Sequence, residues 1–233
     1  LKAMKNIFML AESNKASQQE DGFDATYPWD EFSMMKLIAK GDRPAFAFDS
    51  VVSRVDSTFP GTSLLLYFTS NHDENSWSKA DYGTMPGASH APFAVLTQTM
   101  KRSVPMIYSG QEEPFLDSIS FFYKDTIAFG KYGRADFYKT LLDLRKENPA
   151  LSANAPFTTL KSSNDNAVYA FERISGNRRV LVILNLTGNE QKISLPGAVI
   201  EGVPENVFLG KPEQVTNEQL FELKPWDYIV YSY

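Results

Sequence analysis

Short apolar runs alternate with amphipathic stretches through the first part of the chain, a rhythm that predicts β-strand and α-helix units built on a parallel sheet. Asn6 to Ala11 is a continuous apolar strand that stops at Glu12. Gly22 to Pro28 is a shorter strand. Trp29 to Lys40 carries Phe32, Met35, Leu37 and Ile38 on one side of a helix that Gly41 ends. Arg43 to Asp56 continues as a second helical piece. Ser63 to Thr69 is the third strand, whose unbroken apolar run predicts burial on both faces. A polar loop follows, then a helix over His90 to Arg102 and a fourth strand over Val104 to Tyr108. Asp136 to Asn148 is a helix facing inward through Phe137, Leu141, Leu142 and Leu144, stopped by Pro149.

Past Pro149 the period changes. Val168 to Ile174 and Val180 to Leu186 flank Ser175-Gly-Asn177, a hairpin signal. Gln191 to Leu195, Asn206 to Leu209 and Tyr228 to Tyr233 follow at short intervals, with Gly and Pro between them. The expectation is a partial (β/α) barrel over residues 1–150 and an all-β sandwich over residues 151–233.

Composition narrows the choice of function. A net charge of −5 over 233 residues provides no broad basic surface for nucleic acid. No apolar run reaches the roughly 20 residues of a membrane span. With no Cys, thiol catalysis, thiolate metal sites and disulfides are excluded. The chain opens at Leu1 without an initiator Met, and is expected to be an excerpt or a processed product.

Chemistry gathers where strands end. In a parallel barrel the functional groups sit at the C-terminal ends of strands and in the loops after them. Glu12 follows the first strand, Asn71-His72-Asp73-Glu74-Asn75 the third, and Ser109-Gly110-Gln111-Glu112 the fourth. One polar residue suffices to cap a strand; three strands ending in clusters suggest a shared rim. Taken singly, Glu12 reads better as a solvated acid at a strand end, and His72 equally as a satisfied loop histidine. The Asp73–Glu74 pair is too small for an all-protein metal site. Tyr27, Trp29, Trp77, Tyr82 and Tyr108 are the rings placed to stack on a flat ligand, Trp77 foremost because it lies in the segment after Asp73.

Phe68-Thr-Ser-Asn71-His72-Asp73 resembles the fourth signature region of the alpha-amylase superfamily, glycoside hydrolase family thirteen, and Phe8-Met-Leu-Ala-Glu12 resembles its third. Val104-Pro105-x-Ile107-Tyr108-x-Gly110-Gln111-Glu112 is similar to the motif of its eighth strand, and Ser120 to Asp125 with Phe137 to Pro149 to its last barrel helix. That resemblance implies the second half of a (β/α)8 barrel, from strand five onward, and a C-terminal Greek-key sandwich. It implies a retaining hydrolase of α-glucans, with Glu12 as general acid/base, Asp73 as the second catalytic carboxylate, and His72, Asn71 and Trp77 as substrate-binding residues. A glucan transferase or isomerase, a catalytically silent binding relative, and a sandwich that binds carbohydrate alone are the alternatives on the same scaffold. The family's nucleophile stands in a Gly-x-Arg-x-Asp pattern that this chain lacks, so the chain alone is expected to be inactive. Its expected partners are an α-glucan and the N-terminal half of the barrel. No cofactor is expected, with calcium implied only for that other half, and a secreted or periplasmic location.

Overall fold

The computed structural model describes residues 5, 7–78, 87–113, 115 and 117–233. Its first sheet has four strands, β1 (Leu10–Ala11), β2 (Ala25–Thr26), β3 (Leu64–Tyr67) and β4 (Ser103–Pro105), in that spatial order. All three pairings are parallel. Helices run between and beyond them: α1 (Ala16–Glu20), α2 (Trp29–Ala39), α3 (Phe48–Thr58), α4 (His72–Ser78), α5 (His90–Thr99) and α6 (Ala135–Glu147). Sequential strands lying side by side in parallel, with helices in the connections, form the repeated βα unit that the alternating pattern predicts. No helix among the described residues is long and apolar enough to cross a membrane.

Several details depart from the sequence reading. The strands are shorter than their apolar runs, because ladder pairing needs a neighbour of matching length. Asn6 lies outside the described residues, and Phe8, just before the edge strand β1, and Leu10 on it remain exposed. Burial in β3 is one-sided. Leu65 and Tyr67 are buried against the helices, while Leu64 and Leu66 are only partly covered on the other face. Leu37 and Leu142 point outward. The buried sets are Phe32, Met35, Ile38 and Ala39 on α2, and Tyr138, Leu141 and Leu144 on α6, the three- and four-residue spacing of one helix face.

The all-β part holds a six-stranded antiparallel sheet in the order β10-β9-β12-β7-β6-β5 and a pair, β11-β8. The strands are β5 (Phe157–Leu160), β6 (Val168–Ser175), β7 (Arg178–Asn185), β8 (Gln191–Ile193), β9 (Glu205–Asn206), β10 (Lys211–Pro212), β11 (Phe221–Leu223) and β12 (Tyr228–Ser232). The β6–β7 hairpin turns through Gly176 and Asn177, with Gly176 at φ +60°, a left-handed angle that a glycine adopts without steric cost.

Alternation along β6, β7 and β12 divides their side chains between two cores. Tyr169, Phe171, Val180, Val182, Leu184 and Val230 pack with the helices of the first part. Ala170, Leu181, Ile183 and Tyr231 pack toward the β8–β11 side with Ile193, Phe221 and Leu223. The large sheet is therefore a middle layer, and both parts of the chain share one continuous core. Polar ties cross the same boundary. Asp49 of α3 accepts from Thr159 Oγ1 (2.9 Å) and from the Tyr169 hydroxyl (2.8 Å). Arg173 of β6, 0% exposed, donates to the carbonyls of Thr99, Ser152, Ala155 and Pro156. Burial, and then neighbouring Arg145, bring its guanidinium down to about 10, so it stays charged at neutral pH.

Replacing that cation with an apolar chain of similar length takes the donor from four carbonyls, that of Thr99 buried and the others partly so. Arg173→Met is expected to lower stability by about 3 kcal/mol in urea unfolding. Glu31, on α2 and 1% exposed, gives a pH-dependent prediction. Burial pushes its carboxyl up to about 7, against its own backbone hydrogen bond and Arg54, whose nearest nitrogen is 3.8 Å away. The folded protein thus holds this proton more tightly than the unfolded chain does. The resulting stability is complete below the ordinary value of 4.5 and is lost as pH rises toward about 7. Glu31→Gln removes that slope, leaving the variant more stable by about 2–3 kcal/mol at pH 8, as measured by urea unfolding across the range.

Candidate active site

Every strand of the parallel sheet delivers a functional group at its C-terminal end. Glu12 is the first residue after β1, and Tyr27 follows β2 directly. After β3, Phe68 to Asn71 run buried, and the chain turns at His72 into α4. Tyr108 and Gln111 follow β4. The polar segment after β3, expected as a loop, is thus the first turn of a helix. Its start is readable in Asn71-His72-Asp73-Glu74, a capping residue followed three positions later by Glu. Asn71 Oδ1 accepts from the Glu74 backbone N–H at 2.8 Å, and Asp73 and Glu74 place negative charge at the helix's positive end. Asn71 Nδ2 is buried with no acceptor among the described residues.

Glu12, His72 and Asp73 converge. His72 Nε2 is 3.4 Å from Glu12 Oε1 and 3.7 Å from Asp73 Oδ1. One donor atom from each of the three lies within 4.8 Å of the others, which is also the spacing that could hold a metal ion. The side chains are 49%, 43% and 38% exposed, so the cluster is open to solvent and ligand. Tyr27 and Tyr108 lie within electrostatic reach of it. Burial, then the charges of Glu12 and Asp73, raise the Tyr27 hydroxyl; burial, then Asp73, raises that of Tyr108. Both phenols therefore stay protonated beside the carboxylates as hydrogen-bond donors. Sequence reading named these two rings as stacking surfaces and missed their hydroxyls, since nothing in the chain order shows that β2 and β4 flank the acids.

Supports around the cluster are specific. Gln111 accepts from the Tyr108 backbone N–H (2.7 Å) and donates to Thr69 Oγ1 (2.7 Å), tying the end of β4 to the end of β3. Glu112 Oε2 accepts from the Gly110 N–H. Lys36 of α2 pairs with Glu74 at 3.3 Å. Trp77 stands one turn beyond Asp73 on α4, 66% exposed, its ring 5.6 Å from Phe121, which in turn stacks on His72 at 6.3 Å. His90 is outside the cluster: it is buried, with Nε2 2.6 Å from the Tyr138 hydroxyl. Tyr82 lies outside the described residues.

Two carboxyl groups bracketing an imidazole in half-exposed surroundings can donate, accept and relay protons, and can bind hydroxyl-rich ligands. Asn71→Ala removes the cap of the helix that carries two of the three groups. It is expected to cost about 1 kcal/mol in urea unfolding, with Asn71→Ser recovering most of it.

Known proteins resemble this chain in sequence over part of its length and in fold over nearly all of it. Residues 157–230 match the family model described as the C-terminal domain of maltogenic amylase. A glucan 1,6-alpha-glucosidase from Streptococcus pneumoniae serotype 4 is 36% identical over 90 residues, 39% of this chain and 15% of that protein. A noncanonic maltogenic alpha-amylase from Thermotoga neapolitana superposes with a TM-score of 0.84 at 18% identity, covering 100% of this chain and 56% of its own. An alpha-amylase from Lactobacillus plantarum gives 0.75 at 20%, covering 97% and 55%. A debranching enzyme from Nostoc punctiforme gives 0.75 at 15%, covering 100% and 52%. The chain thus spans about half the length of these solved structures and a smaller share of the curated relative. Motifs, C-terminal domain and fold all point one way, and the chain resembles the alpha-amylase superfamily from its parallel sheet through its antiparallel one.

Proposed function

We propose that this chain forms barrel strands five to eight and the C-terminal Greek-key sandwich of a retaining glycosidase acting on α-linked glucans, the two parts meeting near Ala150. The observation that carries this reading is the meeting of Glu12, His72 and Asp73 at one mouth of the parallel sheet, from two segments far apart in sequence. In this reading Glu12 protonates the leaving glycosidic oxygen and then deprotonates the incoming water. Asp73 accepts hydrogen bonds from hydroxyls of the distorted sugar and stabilises the positive charge that develops at its anomeric carbon. His72, within reach of both acids, donates to the same ring, and Asn71 fixes the helix that presents it. The phenols of Tyr27 and Tyr108 complete the wall.

Retention requires a nucleophilic carboxylate about 5–5.5 Å from the acid. The Gly-x-Arg-x-Asp pattern that would supply it is absent from this sequence. The open edges of β1 and β4 are where the remaining barrel strands pair in this proposal. Two measurements check it. The 233-residue chain releases no reducing sugar from maltooligosaccharides. In a protein carrying both halves of the barrel, Glu12→Gln lowers kcat by about 10²- to 10⁴-fold with an unchanged circular dichroism spectrum. Hydrolysis by the chain alone that vanishes in Glu12→Gln would place a nucleophile here and overturn the division of labour; undiminished kcat in the larger protein would remove Glu12 from the chemistry.

A further inference from the structure

His72 and Asp73 are neighbours on the first turn of α4, where successive side chains leave a helix about 100° apart and do not face each other. Here their donor atoms nonetheless come together, His72 Nε2 lying 3.7 Å from Asp73 Oδ1. Glu12, at the end of β1, brings Oε1 to 3.4 Å from the same nitrogen. Both separations exceed the length of a charge-assisted hydrogen bond, about 2.7–2.9 Å. Three donors from two elements thus gather without closing on one another, each within 4.8 Å of the rest.

That spacing has a chemical meaning. A tetrahedral ion bonded at about 2.0–2.2 Å sets neighbouring donors about 3.3–3.6 Å apart, the edge of its coordination polyhedron. The two distances from His72 fall on that edge and just beyond it. Donor chemistry narrows the ion further. Calcium takes about six to eight oxygens and magnesium an octahedron of them, whereas an imidazole nitrogen with two carboxylate oxygens suits a divalent transition metal such as zinc. Three protein ligands leave a fourth position open to water. Phe121 stacks on the imidazole, and the Asn71 cap fixes the turn that bears both α4 ligands, so little ordering is left for an ion to impose. The positive end of α4 opposes a dication, but with at most about half a charge against the two charges of the ligating carboxylates.

We infer that Glu12, His72 and Asp73 bind one divalent transition-metal ion, zinc above all, through His72 Nε2 and an oxygen of each carboxylate, and that the ion shuts the candidate site by occupying the groups that meet the sugar. Binding stands on the donor geometry alone; the shutdown rests on the glucan reading, and the two are tested apart. Titration calorimetry of the chain with zinc chloride at neutral pH is expected to show one ion per chain, with a Kd in the micromolar range. Glu12→Gln, His72→Ala and Asp73→Asn each weaken zinc about tenfold or more, since each removes one of three ligands. Glu74→Gln, beside the trio but outside it, leaves the Kd unchanged, and circular dichroism shows all four variants folded. Calcium chloride binds about tenfold or more weakly than zinc. Zinc that fails to bind, or that binds His72→Ala as tightly, overturns the site, as does calcium bound as tightly as zinc. In a protein carrying both halves of the barrel, zinc raises the KM for maltoheptaose severalfold with kcat held, and dialysis reverses the effect. Turnover untouched by saturating zinc overturns the shutdown. If that protein hydrolyses no glucan while zinc still binds through the trio, the glucan reading and the shutdown fall and the ion site stands.

Discussion

A desolvated guanidinium is one of the polar ties that hold the two halves of this molecule in register. Arg173 projects from the middle layer and gathers carbonyls from the end of α5 and from the segment 152–156 that leads into β5. Only arginine's rigid, many-donor fork can satisfy several carbonyls without leaving an amide or ammonium proton unused. Because the charge is wholly buried, any shift of the sheet against the helices strips it of acceptors at a cost of several kcal/mol. The apolar contacts around it supply most of the stabilisation but not the alignment, since hydrophobic burial has no preferred direction.

That alignment reaches the candidate site through the sheet. The helices that cover the parallel strands pack on their far side against β6, β7 and β12, so the end of β3 is fixed by a core extending into the antiparallel sheet. The acids lie at the solvent-facing mouth, and the supports that set their spacing lie just beneath: the buried stretch Phe68 to Asn71, the Gln111 bridge and the cap on α4. Exposure at the top allows a ligand in, while burial below prevents the carboxylates from drifting apart. Division between a rigid floor and an open rim is what a parallel sheet offers to any site built on it.

Much of this was readable from the order of residues. Period and punctuation placed the four parallel strands, α2, α5, α6 and the β6–β7 hairpin, since each rests on local rules of spacing and turn chemistry. Where the reading failed, a longer-range contact decided. Leu37 and Leu142 were drawn inward by their apolarity, but one helix face was already filled by residues at the right angular spacing. The strands β5, β10 and β11 escaped notice because short, mixed-polarity segments become strands only when a partner offers its edge. Helix α4 stands in place of the loop expected after β3: its capping signal, Asn71 followed by Glu74, is local, but the polar run behind it shows no helical period of apolar residues.

By itself the sequence determined which residue types stand at the end of each parallel strand, because backbone period and turn residues are local properties. The tertiary structure alone decided that Glu12 and His72 come within 3.4 Å, that the phenols of Tyr27 and Tyr108 feel the charge of Asp73, and that one sheet serves two cores. Those facts depend on which strands pair and how far each helix slides over the sheet. Both are set by packing between segments far apart in the chain, which no local pattern encodes.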